Sequence, residues 1–475
     1  MMKQSLSLSR SLSLSKGQSK GMLEDYLERN AALYPDHMAV VCGEDQCTYA
    51  ELYARVKVRV AQLKGEGLKD RQIVCLRACC AIDTLVTYFA LHLAGGVAAP
   101  LEKDMPEETF QAIARHFAAC TVPGAVPEPV KGSELVEGPL EGIADILYTT
   151  GTTGKSKGVM ISHRAILADA ENLISGQGFS HDLAFIVNGP LNHIGSLSKV
   201  YPVIMLGATL ILVDGMKDLG RFWQAFSYPA SKVATFLVPA SIRILIQFSA
   251  DKLVEYAEKI DFIETGAAAI SQADMEALCH LLPNSRLYNT YASTETGIIC
   301  TYNFNDGRCM AGCLGRPMPH SQVLITAEGL IACKGDTLMS GYVGDPERTA
   351  TVLHDNTVYT SDIGRIDNEG MLHLTGREDD VINVGGFKVA PTEVEDAAMA
   401  FPDIRDCICI SVEHKITGRA LKLLVVMKEN TTLNKRALAL FLKDRLETYK
   451  IPQLYEQVTA VNRTFNGKLN RKSYL

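Results

Sequence analysis

The eleven residues Tyr148-Thr149-Thr150-Gly151-Thr152-Thr153-Gly154-Lys155-Ser156-Lys157-Gly158 bring together three glycines, four threonines and two lysines. Glycines let successive backbone N–H groups turn toward one anion, hydroxyls add donors, and ammonium groups supply charge. Such a loop suits the cradling of a polyphosphate. It departs from the P-loop pattern, because Thr149 stands where the glycine preceding Gly154-Lys155-Ser156 belongs. A flexible, solvated loop has the same composition.

Four further clusters carry complementary chemistry. Tyr291-Ala292-Ser293-Thr294-Glu295-Thr296 offers an aromatic face for a base, a hydroxyl for a phosphate and a carboxylate for Mg²⁺. The same residues would also make a helix start with Glu295 as its cap. Tyr359-Thr360-Ser361-Asp362-Ile363-Gly364 places a carboxylate where it can accept from two ribose hydroxyls, or where it merely makes a turn. Gly376-Arg377-Glu378-Asp379-Asp380 is a charged stretch leading into Val384-Gly385-Gly386-Phe387. Near the C-terminus, Asn466-Gly467-Lys468 holds a lysine on a turn, able to enter a cleft as a point charge or to remain in solvent.

The elements that must position these clusters follow from periodicity. Residues 143–147 read as a buried strand entering the glycine–threonine loop. Upstream, 22–31 and 49–63 have helical spacing, 39–41, 47–49 and 74–77 read as strands, and 81–93 as a helix. Residues 121–138 are rich in Pro, Gly and Glu and form a surface connection. Downstream, 166–173, 222–226 and 240–248 read as helices, and 183–187, 206–213, 234–238 and 287–291 as strands. The apolar run 200–213 contains Tyr201, Pro202, Gly207 and Thr209 and fits buried sheet. This alternation predicts an α/β fold with a mainly parallel sheet. From 313 to about 375 short strands suggest antiparallel sheet, and the last hundred or so residues read as a small α+β unit.

At 475 residues the chain is long enough for two or three domains, and 47% apolar with 21% charged residues is ordinary for a globular protein. A net charge of −7 argues against a nucleic-acid or membrane surface. No apolar run reaches the roughly 18 residues of a membrane span. The thirteen cysteines show no metal spacing and read as reduced core residues of a cytoplasmic protein. Residues 1–20 alternate Ser and Leu with Lys3, Arg10, Lys16 and Lys20, which reads as a disordered tail, an organellar targeting peptide or a misassigned start.

Taken in order, the five clusters resemble the motifs of the adenylate-forming superfamily, which holds acyl- and aryl-CoA synthetases, peptide-synthetase adenylation domains and firefly luciferase. The resemblance runs from about Met22 to the last residue. It implies a large N-terminal domain (22–378) of α/β layers with a small antiparallel subdomain, and a small mobile C-terminal α+β domain (379–475) turning about Asp379. The loop is similar to YTSGTTGxPKG, with Thr150 for the usual Ser and Ser156 for the usual Pro. Thr149, Thr150, Gly151, Thr152, Thr153, Gly154, Lys155 and Lys157 would then hold the β- and γ-phosphates of ATP. Gly266, Ala267 and Ala268 would lie along the adenine, with Asn289 beside it and Tyr291 stacked on it. Thr294 would touch the α-phosphate and Glu295 would hold Mg²⁺, with Ala292 in place of the common glycine. Asp362 matches the ribose-binding aspartate and Arg377 its neighbouring arginine. Lys468 matches the lysine that bridges the substrate carboxylate and the α-phosphate. Gly385 and Gly386 would face the pantetheine arm of CoA, although Asn383 stands where the family often has lysine.

Pro190-Leu191-Asn192-His193-Ile194-Gly195 resembles the PLxHxxG segment of acyl- and aryl-CoA ligases, which would put His193 beside the carboxylate pocket or leave it with a packing role at a helix start. No phenylalanine–aspartate pair stands there to take an α-amino group. Val238, Pro239, Ser241, Gly266 and Ile298 are the expected pocket walls. The resemblance thus implies an ATP-dependent, AMP-forming carboxylate–CoA ligase for an aryl or acyl acid, with an o-succinylbenzoate–CoA ligase as one option. The chain ends seven residues after Lys468, so no fused carrier domain is expected. A separate acyl carrier protein is the alternative acceptor.

Overall fold

The computed structural model describes residues 21–116, 140–150, 156–384, 387–414, 418–463 and 469–474. The expectations for 1–20, 121–138, 151–155, Gly385, Gly386 and Lys468 lie outside these residues, as do the side chains of Thr150 and Asp379.

The expected α/β layering is present. Five strands, Thr209–Leu212, Leu183–Val187, Lys232–Leu237, Ile260–Thr265 and Arg286–Ser293, lie side by side and parallel. The sheet then turns antiparallel through Gly297–Asn303 and Cys313–Pro317 into Leu372–Arg377, Thr357–Ile366, Leu330–Gly335 and Ser321–Ile325, giving fourteen strands in all. This is the short-stranded region expected from about residue 313. A second sheet of five strands pairs Ile73–Arg77, Val97–Leu101 and Ile143–Thr150 in parallel, then adds Ser156–Ser162 and Gly341–Tyr342 antiparallel.

Between the sheets runs one apolar core. Ile166, Ala170 and Leu173 from helix His163–Gln177 and Leu197, Val200 and Ile204 from helix Ile194–Leu206 meet Phe185, Phe262 and Ile298 on one side and Leu147 and Val159 on the other. The first helix begins where Ser162 Oγ accepts the Ala165 N–H at 3.1 Å and ends on Gly178 at φ 68°. At the N-terminal edge, Thr48 and Glu51 cap helix Tyr49–Gly65 reciprocally, at 3.3 and 2.9 Å.

The run 200–213 corrects the sequence reading. Residues up to Leu206 are helical, and only Thr209–Leu212 is strand. A helix buried on every side shows no polar stripe, so its apolar run looks like buried sheet. Pro202 lies inside this helix, and Gly207 at φ 72° ends it.

Beyond Asp380 the chain builds a core of its own from Val394, Ala398, Cys407, Leu423, Val425, Leu438 and Leu442. Strands Ile404–His414 and Gly418–Met427 pair antiparallel, Leu454–Gln457 joins parallel, and helices Pro391–Met399 and Lys435–Lys443 complete the small α+β unit. Among the described residues no helix is long and apolar enough to cross a membrane.

Candidate active site

Two paired strands flank the glycine–threonine segment. Strands Ile143–Thr150 and Ser156–Ser162 pair antiparallel, with Thr149 opposite Lys157 and Thr150 opposite Ser156. Thr149 Oγ1 is buried and meets no hydrogen-bond partner among the described residues. A buried hydroxyl at the root of the loop is thus left with bonding capacity.

Lys157 crosses from this hairpin to the other sheet. Its ammonium donates to Glu295 Oε1 and, at 2.7 Å, to the Tyr342 hydroxyl, which in turn donates to the same Glu295 oxygen at 3.0 Å. Glu295 lies in the turn between Arg286–Ser293 and Gly297–Asn303. The alternative of a helix start does not occur there: Ser293 and Thr296 bond each other's backbone and hydroxyls and close a hairpin instead. Burial by itself would push the Glu295 carboxyl up. The Lys157 charge and the hydrogen bonds from Lys157 and Tyr342 outweigh it and hold the carboxyl below its ordinary value, so it is ionised at neutral pH. One ionised carboxylate oxygen is the kind of donor Mg²⁺ takes from a protein when substrate phosphates and water complete its shell.

Asp362 and Arg377 are direct cross-strand partners. Arg377 Nε lies 3.0 Å from Asp362 Oδ1, Arg377 Nη2 donates to Ser361 Oγ at 2.8 Å, and the Tyr291 hydroxyl donates to Asp362 Oδ2 at 2.8 Å. The structure therefore brings three of the expected residues into one cluster. Burial and the neighbouring Asp362 charge push the Tyr291 phenol far up, so it stays a donor.

Gly266, Ala267 and Ala268 follow the carboxyl end of Ile260–Thr265. A Cβ on Gly266 would stand 3.0 Å from the Thr290 carbonyl, a tight contact with backbone. Ala267 has φ 66°, a left-handed conformation uncommon outside glycine, and it is exposed. Strain of this kind costs about 1–3 kcal/mol and collects at ligand sites. Asn289 is buried and its Nδ2 donates to the Cys313 carbonyl at 3.0 Å, so it ties two strands together. Thr294 is half-buried in the hairpin turn. His193 is the residue before helix Ile194–Leu206; its carbonyl accepts from Ser196 and Leu197 at 3.1 and 2.9 Å, and its half-buried ring makes no capping bond. Of the expected pocket walls, Val238 and Pro239 begin helix Pro239–Phe248, and Ile298 is buried.

Thr149, His193, Gly266, Thr294 and Glu295 lie at or beyond carboxyl ends of parallel strands, the place where open α/β sheets bind ligands, whereas Lys157, Tyr342, Asp362 and Arg377 come from antiparallel strands. Tyr342 escaped sequence reasoning. It is a lone tyrosine 47 residues beyond Glu295, and only the pairing of Gly341–Tyr342 with Val159 and Met160 brings it there.

Residues 27–134 and 124–343 match the family described as AMP-binding enzyme, and residues 393–468 match the AMP-binding enzyme C-terminal domain. The chain is 27% identical to an indoleacetate–CoA ligase of Aromatoleum aromaticum, over 94% of this chain and 96% of that protein. It is also 27% identical to a 2-succinylbenzoate–CoA ligase of Staphylococcus epidermidis, with the same coverage. Its fold is that of ATP-bound MatB from Rhodopseudomonas palustris, with a TM-score of 0.81 at 23% identity over 94% of this chain and 99% of that one.

Proposed function

The chain belongs to the AMP-binding enzyme family, and from that premise we propose that it is an ATP-dependent, AMP-forming ligase joining a carboxylic acid to CoA. The observation that carries this reading is the contact of Lys157 and Glu295, residues 138 positions apart, at the root of the glycine–threonine hairpin. A cation and an ionised carboxylate at the mouth of a phosphate loop are what a triphosphate and its metal require.

In the first half-reaction a carboxylate oxygen of the acid attacks the α-phosphorus. The new bond is C–O–P, the bond from the α-phosphorus to its bridging oxygen breaks, and pyrophosphate leaves with both electrons. Lys157 and the residues 149–155 hold the departing β- and γ-phosphates, while Lys468 lies between the two approaching anions. Thr294 donates to the α-phosphate. Glu295 would hold Mg²⁺, which supplies positive charge to the triphosphate when bound. Asp362 accepts from the ribose hydroxyls with Arg377 beside it. Tyr291 stacks on the adenine, Asn289 flanks it, and Gly266, Ala267 and Ala268 let it lie against the backbone. His193 borders the acid.

In the second half-reaction the CoA thiolate attacks the acyl carbon, the thioester bond forms, and AMP leaves with the mixed-anhydride oxygen. Lys468 must first withdraw, and rotation about Asp379 accomplishes this while bringing Gly385 and Gly386 to the pantetheine arm. CoA as acceptor is supported by the two relatives named CoA ligases. The cysteines among the described residues are all free thiols, which supports a reducing, cytoplasmic setting.

The test is acid-dependent exchange of labelled pyrophosphate into ATP, followed by AMP release on adding CoA. Exchange that CoA leaves untouched, with release only on adding a phosphopantetheinylated carrier protein, would assign the carrier as acceptor. No exchange with any acid would overturn the reading.

A further inference from the structure

Four elements converge on a polar cluster that neither half-reaction uses. Glu24 comes from helix Leu23–Leu33, His92 from helix Ile82–Leu93, Asp145 from strand Ile143–Thr150 and His163 from the start of helix His163–Gln177. His92 lies between two carboxylates, with Nδ1 2.8 Å from Glu24 Oε1 and Nε2 3.1 Å from Asp145 Oδ1. Glu24, His92 and Asp145 are buried, and His163 is half-buried with its ring centre 5.1 Å from that of His92. One ligand atom from each of Glu24, His92 and His163 lies within 4.8 Å of the other two.

Two atoms of this cluster are left unmet. Glu24 Oε2 and His163 Nδ1 are both buried, and neither meets a hydrogen-bond partner among the described residues. Buried polar atoms in that state lose their hydration without compensation. Burial, and then the neighbouring His92, lower the His163 pKa, so the ring is neutral at pH 7 and with its hydrogen on Nε2 keeps a lone pair at Nδ1. Two acceptors cannot satisfy each other; a cation between them satisfies both. Formal charge points the same way. A proton on His92 gives the two carboxylates one positive charge and leaves the cluster at about −1, whereas a divalent ion with both rings neutral brings it to about zero, and buried charges are paired or coordinate metals.

We propose that Glu24, His92 and His163 form a binding site for a divalent metal ion of the zinc type, with Asp145 on the far nitrogen of His92. Two imidazoles and one carboxylate are a ligand set that zinc takes, whereas Mg²⁺ prefers oxygen alone, so the site differs in kind from the one at Glu295. Coordination through His92 Nδ1 displaces the proton held there against Glu24, and that proton passes to solvent. The Nε2–H then donates to Asp145, an outer carboxylate of the sort that fixes the ring of a ligating histidine. Donors about 2.1 Å from one ion in a tetrahedral array stand about 3.4 Å apart, so the longest separation must shorten by at most about 1.4 Å, within reach of side-chain rotation. Water takes the fourth position. The ion touches no substrate; it fastens three helices to the strand that leads into the glycine–threonine segment.

The experiment strips the full chain with a chelator, removes the chelator, and titrates the protein at pH 7 with Zn²⁺ and in parallel with Co²⁺ against a competing metal-binding dye. One ion per chain is expected, with the visible spectrum of four-coordinate Co²⁺ bound by nitrogen and oxygen and a higher unfolding temperature for the loaded protein. His163→Gln removes one ligand and leaves the two contacts of His92 in place, and it should weaken binding roughly tenfold to a hundredfold, the size of loss seen when groups around a metal are altered. Equal binding by that variant, or a thiolate-to-cobalt charge-transfer band, would place the ion on cysteines and overturn the site. No uptake by the stripped chain would overturn it as well and would assign the unmet atoms to water. The wild-type cobalt spectrum decides the matter even if the variant fails to fold, and no outcome depends on the ligase reading, because no substrate is present.

Discussion

A single oxygen, Glu295 Oε1, receives both the Lys157 ammonium and the Tyr342 hydroxyl, and this makes the carboxylate the most exacting position of the site. Glu295→Gln keeps the shape and the hydrogen bonds but removes the charge. Exchange of pyrophosphate should drop by roughly 10²–10³-fold, the usual cost of removing a preorganised electrostatic contact. Raising Mg²⁺ should restore part of the rate, and a variant indifferent to Mg²⁺ would separate Glu295 from the metal. Lys468→Ala should reduce adenylation by a similar roughly 10²–10³-fold, yet spare thioester formation from supplied acyl-adenylate. Equal loss in both steps would contradict the withdrawal of this lysine between them. Legibility differs sharply among these residues. Glu295, Asp362 and Arg377 stand in runs whose composition is informative without coordinates. Tyr342 has ordinary neighbours, and its place in the site arises from partners 47 and 185 positions away, which no local pattern carries.

At the level of elements, strands and helices with one polar face were readable, and the element buried on all sides was not. Residues 200–206 read as sheet because their periodicity is erased by burial, whereas 183–187 and 234–237 read correctly because they are short and bounded by turn signals. Buried polar clusters between elements were likewise out of reach. The clearest joins helix Ile82–Leu93 to helix Leu23–Leu33 and strand Ile143–Thr150: His92 lies between Glu24 at 2.8 Å and Asp145 at 3.1 Å, with the Tyr88 hydroxyl on Asp145 at 2.9 Å and the His163 ring 5.1 Å away. Burial alone would lower the His92 pKa, but the two carboxylates raise it from 6.5 to about 10. The folded-state value exceeds the unfolded one, so this stabilisation is complete below pH 6.5 and disappears as the pH rises toward 10. His92→Gln should lower stability at pH 7 by about 3–5 kcal/mol, since it leaves two buried carboxylates without a cation. Urea unfolding at pH 7 and 9.5 should show a smaller difference at the higher pH; an unchanged difference would dissociate His92 from the effect.

For the molecule as a whole, the contact between its two parts is electrostatic at one corner. Arg243 of the large part reaches Asp274 at 2.7 Å and Asp406 of the small part at 3.1 Å, and Arg463 holds Asp406 from the other side at 2.8 Å. Arg463 pairs with Leu469 across an antiparallel bridge. Rotation about Asp379 would have to break the Arg243–Asp406 pair. Asp406→Asn should therefore expose the linker, raising the initial rate of tryptic cleavage at Arg377 about threefold to tenfold, as expected for a half-buried pair worth about 1 kcal/mol. No change in cleavage would show that the corner does not restrain the small part. The site straddles two sheets, with Lys157 on the five-stranded one and Glu295 in a turn of the fourteen-stranded one. Nucleotide then acts as a rivet across a seam. Warming should let the seam slip before either half melts, so that empty enzyme loses turnover several degrees below its calorimetric transition while ATP with Mg²⁺ draws the two temperatures together.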